Sequence, residues 1–257
     1  MTTRNGLWRS ARRAAVLAVL ASGWLGLAAE GSDRPEFTAE AGVFSQYVWR
    51  GLVITDGPVV QPAVTVSYQG FHAGVWGNMD LNDVNGRRRQ FSEVDYYAGY
   101  ERSAGKLGLS GGVFVYTFPN TGYRATTELY AGASLATFLN PSVTAFFDVD
   151  EIGGTYISFD VSRAVALPKP GARIDWSAEL AAGAGWGSGD YNSGYFGAAG
   201  SGFVDFHPSV SLPVTIAGKL TVTPALAYGN LVDRELRRSA GPHTHNFFGG
   251  VKVSFTY

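Results

Sequence analysis

From His245 to Tyr257 apolar and polar residues alternate. Val251, Val253, Phe255 and Tyr257 fall on one face, and Gly250, Lys252, Ser254 and Thr256 fall on the other. Successive side chains of a β-strand point to opposite faces, so this segment is predicted to be a strand with one apolar and one polar face. The same alternation recurs upstream in stretches of about ten residues bounded by turn residues. It predicts strands at 37–50, 59–69, 71–81, 91–101, 107–117, 125–138, 142–150, 155–165, 173–183, 203–214, 219–228 and 246–257.

The joins alternate as well. Short ones follow the even strands, at Gln69-Gly70, Ser103 to Lys106, Asn140-Pro141, Leu167 to Gly171 and Ile216 to Gly218. Longer ones follow odd strands, as at Asn82 to Gln90, Gly185 to Ser201 and Gly229 to His245. Twelve antiparallel strands with short turns at one end and long loops at the other predict an all-β fold, a single transmembrane β-barrel of the bacterial outer membrane with both termini periplasmic. Tyr47, Trp49, Tyr68, Tyr100, Trp176 and Tyr257 sit near strand ends, where amphipathic rings occupy the headgroup level. The final aromatic strand resembles the closing strand of such barrels, which implies recognition by the barrel-assembly machinery.

Composition supports a membrane barrel. Charged residues make up 16% of the chain, against about 25% in soluble domains, while hydrophobic residues reach 46%. Residues 1–29 have the form of a cleaved signal peptide: Arg4, Arg9, Arg12 and Arg13, an apolar run from Ala14 to Leu27, then Ala28 and Ala29. Residues 30–257 form the expected barrel. Past residue 29 no apolar run reaches about 18 residues, so the mature chain crosses a bilayer only as a closed barrel. Loss of the signal leaves 16 basic against 21 acidic residues, which does not suggest nucleic-acid binding. There is no cysteine, hence no thiolate chemistry and no lipid anchor on a cysteine.

The segments SQYVWRG (Ser45 to Gly51), GFHAGVW (Gly70 to Trp76), EVDYYAGY (Glu93 to Tyr100), YTFPN (Tyr116 to Asn120) and ELYAGAS (Glu128 to Ser134), with Pro62 in the second strand, resemble the TorF family of proteobacterial proteins. The resemblance is best from Phe37 to Ala136. It implies an outer-membrane barrel thought to act as a porin, with no catalytic residues to carry over.

With apolar positions facing lipid, the intervening ones define the lumen. In the fourth strand Val94, Tyr96, Ala98 and Tyr100 face out and Glu93, Asp95, Tyr97 and Gly99 face in. The same register turns Glu40, Asp80, Glu128, Asp148, Asp150, Asp160, Asp175, Glu179 and Asp205 inward, with Arg50 and Lys252, and Arg173 and Lys219 only at the periplasmic ends. Eleven carboxylates cannot be neutralised by four bases in a sealed low-dielectric core, so the lumen is expected to be wet. Asp80, Glu93, Glu128 and Asp150 are expected to form an acidic ring at the extracellular mouth. Arg50 is expected to pair with Glu93 or Glu128 and narrow the entrance. Phe44, Trp76, Phe114, Tyr116, Tyr130 and Phe146 point inward and constrict the bore.

Other motifs carry less. His207 and Ser209 share the inward register, but no Asn or Asp follows at the spacing that an outer-membrane phospholipase would require. No enzyme activity, cofactor or metal is expected: His243 and His245 offer only two imidazoles. Gly185 to Gly189 lacks the Lys of a phosphate loop and is read as preceding no helix. Arg87, Arg88 and Arg89 could meet lipopolysaccharide phosphates or solubilise a loop. The expected function is passive passage of small cationic or neutral solutes through a narrow acidic pore lined by Glu40, Arg50, Asp80, Glu93, Asp95, Glu128, Asp148, Asp150 and Asp160. The alternative is a barrel occluded by its own aromatics and an Arg50 network, serving as a structural or interaction protein of the envelope. Only about seven residues separate the expected cut from the first strand, too few for a separate N-terminal plug.

Overall fold

The structure, a computed structural model, describes residues 34–168, 171–241 and 243–257. The expected signal peptide lies outside the described residues. The chain runs β1 (Glu36–Phe44), β2 (Tyr47–Trp49), β3 (Leu52–Thr55), β4 (Val59–Tyr68), β5 (Phe71–Asp80), β6 (Phe91–Ala104), β7 (Leu107–Thr117), β8 (Thr126–Leu135), β9 (Ser142–Asp148), β10 (Thr155–Ala166) and β11 (Ile174–Gly187). It continues through α1 (Gly189–Phe196), β12 (Gly202–Phe206), β13 (Ser209–Ser211), β14 (Val214–Ile216), β15 (Leu220–Leu231), α2 (Arg234–Ala240) and β16 (His245–Thr256).

All strands but β2 and β3 build one antiparallel wall, in which each pairs with its sequence neighbour and β1 pairs with β16 to close the circle. At the seam Ala41 faces Val253 and Phe44 faces Gly250, and Phe37 and Tyr257 exchange backbone hydrogen bonds of 3.0 and 2.9 Å. β12, β13 and β14 are one stave interrupted twice, since each lies between β11 and β15. The breaks fall at His207-Pro208 and Leu212-Pro213, where proline cannot donate to the ladder. The wall is therefore a closed barrel of twelve staves.

The outward register agrees with the alternation. Val64, Tyr96, Leu129, Leu180, Val253 and Phe255 are all exposed on the outer surface. The turn end carries tight connections, such as the Gln69-Gly70 pair with φ 49° and 87° that joins Tyr68 to Phe71. Positive φ at both central residues is the two-residue turn that matches strand twist. The loop end carries the longer segments, including both helices. α1 starts at an N-cap, Ser188, whose hydroxyl accepts from the Tyr191 amide. The Gly185 to Gly189 stretch therefore does lead into a helix, contrary to expectation.

The largest departure lies at the start of the chain. The first stave ends at Phe44 rather than Arg50, and Tyr47–Thr55 forms a separate two-stranded sheet. Tyr47, Val48 and Trp49 are buried on both faces, so the period-2 rule of a half-buried strand does not apply to them. Tyr47 and Trp49 consequently belong to the interior of the barrel and not to the aromatic belt. β2 and β3 are joined by Arg50-Gly51, with φ 44° and 81°, between the paired residues Trp49 and Leu52. The seventh stave also stops early, at Asp148. The main apolar cluster lies inside the loop half of the bore, where Trp49 and Tyr47 of the hairpin meet Tyr191, Tyr195 and Phe196 of α1 and Leu236 of α2.

Gly51 is the tightest point of this packing. A Cβ there would lie 2.7 Å from Leu231 Cδ2 and 2.8 Å from Asp205 Cβ. The left-handed backbone costs a non-glycine residue roughly 1–2 kcal/mol in addition. Gly51→Val is expected to undock the hairpin and leave the wall folded. The measurement is limited trypsinolysis: a new cut after Arg50, whose side chain is 7% exposed when docked, should appear while the barrel keeps its resistance to unfolding in SDS.

Candidate functional site

The hairpin is bound from many sides. Tyr47 donates to Glu93 Oε2 on β6 at 3.1 Å, and Thr55 donates to Asp80 Oδ1 on β5 at 2.8 Å. Gly51 backs onto Asp205 of β12 and Leu231 of β15, and a Cβ at Gly229 of β15 would lie 3.1 Å from Val48 Cγ1. At its base Gln46 donates to Asp56 Oδ1 at 2.5 Å. At its tip the Arg50 guanidinium donates from both terminal nitrogens to the two oxygens of Glu128 on β8, each at 2.8 Å. Staves β5, β6, β8, β12 and β15 lie around the ring on different sides, so the hairpin crosses the lumen.

Arg50 also lies within a cage of rings. Its guanidinium carbon is 4.2 Å from the Tyr156 ring centroid, 4.5 Å from Trp49, 4.6 Å from Phe146 and 5.7 Å from Tyr191. Attraction to desolvated ring faces adds to the bidentate carboxylate contact. Tyr116 donates to Glu128 Oε2 at 2.8 Å, and Tyr156 donates to Asp205 Oδ1 at 2.8 Å, so hydrogen bonds along the wall orient both the carboxylate and the ring. Burial works against the Arg50 charge, but the facing Glu128 carboxylate together with the Tyr191 and Tyr116 phenols more than offsets it and holds the guanidinium pKa above its ordinary value. Burial also pushes the Tyr191 and Tyr195 phenols up, so both stay neutral.

The expected pore-lining residues divide into two groups. Asp80, Glu93, Asp95 and Glu128 lie on the inner wall but are at most 1% exposed. The acidic ring expected at the mouth is thus sealed under the hairpin and does not face water. Asp80 accepts from Thr55, Asn78 and Asn85. Asp148 is buried too, accepting from the Thr126 hydroxyl and from the Asp150, Ile152 and Gly153 amides, so it shapes the loop after β9. Asp150 lies beyond the stave in that loop, exposed. Toward the turn end the wall is wetter. Glu40 pairs with Lys252 at 3.2 Å, and the Asp160, His207 and Lys252 side chains are 31%, 35% and 32% exposed. Wetness therefore holds for one half of the bore only, because the β2–β3 hairpin and the two helices cover the other half.

The sequence left Arg50 to pair with Glu93 or Glu128, and the partner is Glu128, but the hairpin that carries Arg50 was missed. The signal was present: Trp49-Arg50-Gly51-Leu52 has the same X-Gly turn chemistry as Tyr68-Gln69-Gly70-Phe71. Also missed was the bridge that His207 makes between two acids, Asp205 at 2.7 Å and Asp160 at 3.0 Å. His243 lies 3.6 Å from Asp56, and His245 shares a hydrogen bond with the Tyr228 hydroxyl. Among the described residues no group of three or more His, Asp or Glu is placed to hold a metal.

A closed antiparallel barrel with an apolar outer surface, a polar inner wall and an inward-folded segment defines a β-barrel of the outer-membrane porin type. The sequence profile of a family described as "Bacterial protein of unknown function (Gcw_chp)" matches residues 28–197, and the chain belongs to that family. That description does not carry the TorF name suggested by the sequence motifs. The KdgM porin shares the fold with a TM-score of 0.50 at 10% identity, over 86% of this chain and 99% of that one. The NanC porin gives 0.48 at 14% identity, over 85% and 98%, and an outer membrane channel from Pseudomonas putida F1 gives 0.46 at 11%, over 90% and 98%. No curated protein matches in sequence.

Removing one partner of a buried ion pair leaves the other charge uncompensated, at a cost of about 3–5 kcal/mol. Arg50→Ala is therefore expected to weaken hairpin docking by roughly that amount, and Glu128→Gln, which retains the shape of the carboxylate, by less. Urea titration followed by Trp49 fluorescence checks this. Equal midpoints for wild type and Arg50→Ala would show that the pair does not hold the hairpin.

Proposed function

We propose that this protein is a porin-like channel of the bacterial outer membrane that passes small cationic or neutral solutes, narrowed at its loop end by the β2–β3 hairpin. The observation that supports this reading best is the two-part bore: a hairpin spanning the lumen from β5 and β6 to β12 and β15 at one end, and partly exposed polar side chains at the other. An inward segment sets the width of a bore that twelve staves alone would leave between filled and open. The charge of the wetter half favours cations, since Glu40, Asp160, Glu179 and Asp205 outnumber Lys252 and His207 there, with Lys252 paired to Glu40 and His207 shared by Asp160 and Asp205.

In this reading the apolar outer face meets membrane lipid, Arg87, Arg88 and Arg89 in the β5–β6 loop meet lipopolysaccharide phosphates, and β16 is the strand read by the assembly machinery. A second reading is favoured by the Arg50 cage and the aromatic cluster around it: a barrel closed at all times that acts as a structural or interaction protein of the envelope.

Single-channel recording separates the two. The chain lacking residues 1–29, refolded into a planar bilayer under a KCl gradient, is expected to show small discrete openings with a cation-selective reversal potential. Asp160→Asn with Glu179→Gln should lower that selectivity without unfolding the barrel. Anion-selective openings would overturn the charge assignment, and silence from a folded barrel would favour the closed envelope protein.

A further inference from the structure

The Arg50 cage has an unequal division of labour. The staves supply Glu128, oriented by Tyr116, and the ring faces of Phe146 and Tyr156, the latter tethered to Asp205. The hairpin supplies the guanidinium and the Trp49 ring, and α1 the more distant Tyr191. The parts on the staves are fixed by the barrel's own ladder: Glu128 pairs with Phe114 and Asp148, and Phe146 with Tyr130 and Tyr156. Their backbone positions do not depend on the hairpin, and the Tyr116–Glu128 and Tyr156–Asp205 hydrogen bonds tether two of these side chains to the wall itself. A carboxylate presenting two oxygens in plane, flanked by ring faces, is a receptor for a flat delocalised cation.

We infer that this wall pocket is a binding site for guanidinium-type organic cations, that Arg50 is its built-in occupant, and that an external cation competing for the pocket releases the hairpin and opens the bore. The second clause of this inference rests on the channel reading; the first does not.

Two features of the docked state favour release. The Glu93 and Asp95 carboxyl groups are buried side by side and hydrogen-bonded to each other with no cation beside them among the described residues, and the Trp49 indole N–H is buried without an acceptor. Sealing such groups away from water is unfavourable, and undocking hydrates them again. Against this stand the ion pair, the ring contacts and the high local concentration of a tethered ligand. A tether of this kind corresponds to an effective concentration on the order of millimolar, so a free guanidinium of about that concentration competes.

The chain has no native cysteine, so engineered thiols report hairpin position cleanly. The first readout needs no channel. In Val48→Cys, at a position 5% exposed when docked, the rate of maleimide labelling measures undocking. Methylguanidinium at about 10 mM is expected to raise that rate about tenfold, which corresponds to about 1.4 kcal/mol of population shift, whereas methylammonium at equal ionic strength is expected to leave it unchanged. Glu128→Gln should abolish the difference between the two cations. Equal rates with both cations in the otherwise unaltered variant would overturn the binding site.

The second readout is current. Methylguanidinium should increase wild-type opening, and Arg50→Lys, which keeps the charge and loses the planar fork, should open more often without added ligand. Val48→Cys with Gly229→Cys should close the channel when oxidised and restore it on reduction. Labelling that responds to methylguanidinium in a barrel that never conducts would retain the binding site and remove the channel reading. Unaltered current in the oxidised double variant would overturn the hairpin as the gate.

Discussion

A bilayer offers no hydrogen-bond partner to a peptide group, and every feature of this molecule follows from how the chain meets that condition. The wall closes β1 on β16, so no strand edge faces lipid. Once closed, the ladder fixes which side chains face out and which face in, since register admits no half-step. Tyr96 and Tyr100 are presented to lipid, and Glu93 and Asp95 are committed to the interior.

Closure creates an interior that the wall cannot fill. Twelve staves enclose more space than inward side chains occupy, and the chain fills the loop half with its own segments: β2 and β3 from one loop, α1 and α2 from two others. Filling that space brings charge into a dry region. Of Asp80, Glu93, Asp95 and Glu128 on the wall, only Glu128 pairs with a cation among the described residues. Asp80 is satisfied by hydroxyl and amide donors, and Glu93 by the Tyr47 phenol and the neighbouring Asp95 carboxyl group. This uneven satisfaction marks the hairpin as an inserted element held by a few strong contacts, unlike a core that is apolar throughout.

The twelve staves, their facing and the placement of both ends were legible because alternation is a property of the backbone and survives any sequence of loops. Val251 to Tyr257 and Val94 to Tyr100 show it plainly. What alternation cannot show is a segment buried on both faces. Tyr47-Val48-Trp49 continued the apolar character of the first stave and so was assigned to it, although the turn residues Arg50-Gly51 stood beside them. The carboxylates other than Asp150, which lies in the loop after β9, were placed on the correct wall, but their exposure was not legible, because it depends on what covers them. Asp80 and Asp160 are alike in sequence pattern, yet one is sealed beneath Thr55 and Asn85 and the other faces the wetter half. The His207 bridge depends on a stave that breaks at Pro208, a local irregularity outside any period-2 rule.

The seam between β1 and β16 joins the first stave to the last, with Thr38 against Thr256 across a separation of 218 residues. A contact so distant in sequence forms late, after the nearer hairpins have paired. The docking surfaces of β2 and β3 are scattered in the same way, over β5, β6, β8, β12 and β15, and are brought around one lumen only when that seam shuts. The hairpin follows directly on β1 and precedes every other stave that seats it, yet it is among the last elements that can find a seat. During assembly, then, the barrel passes through a stage in which its wall is nearly complete and its interior still empty.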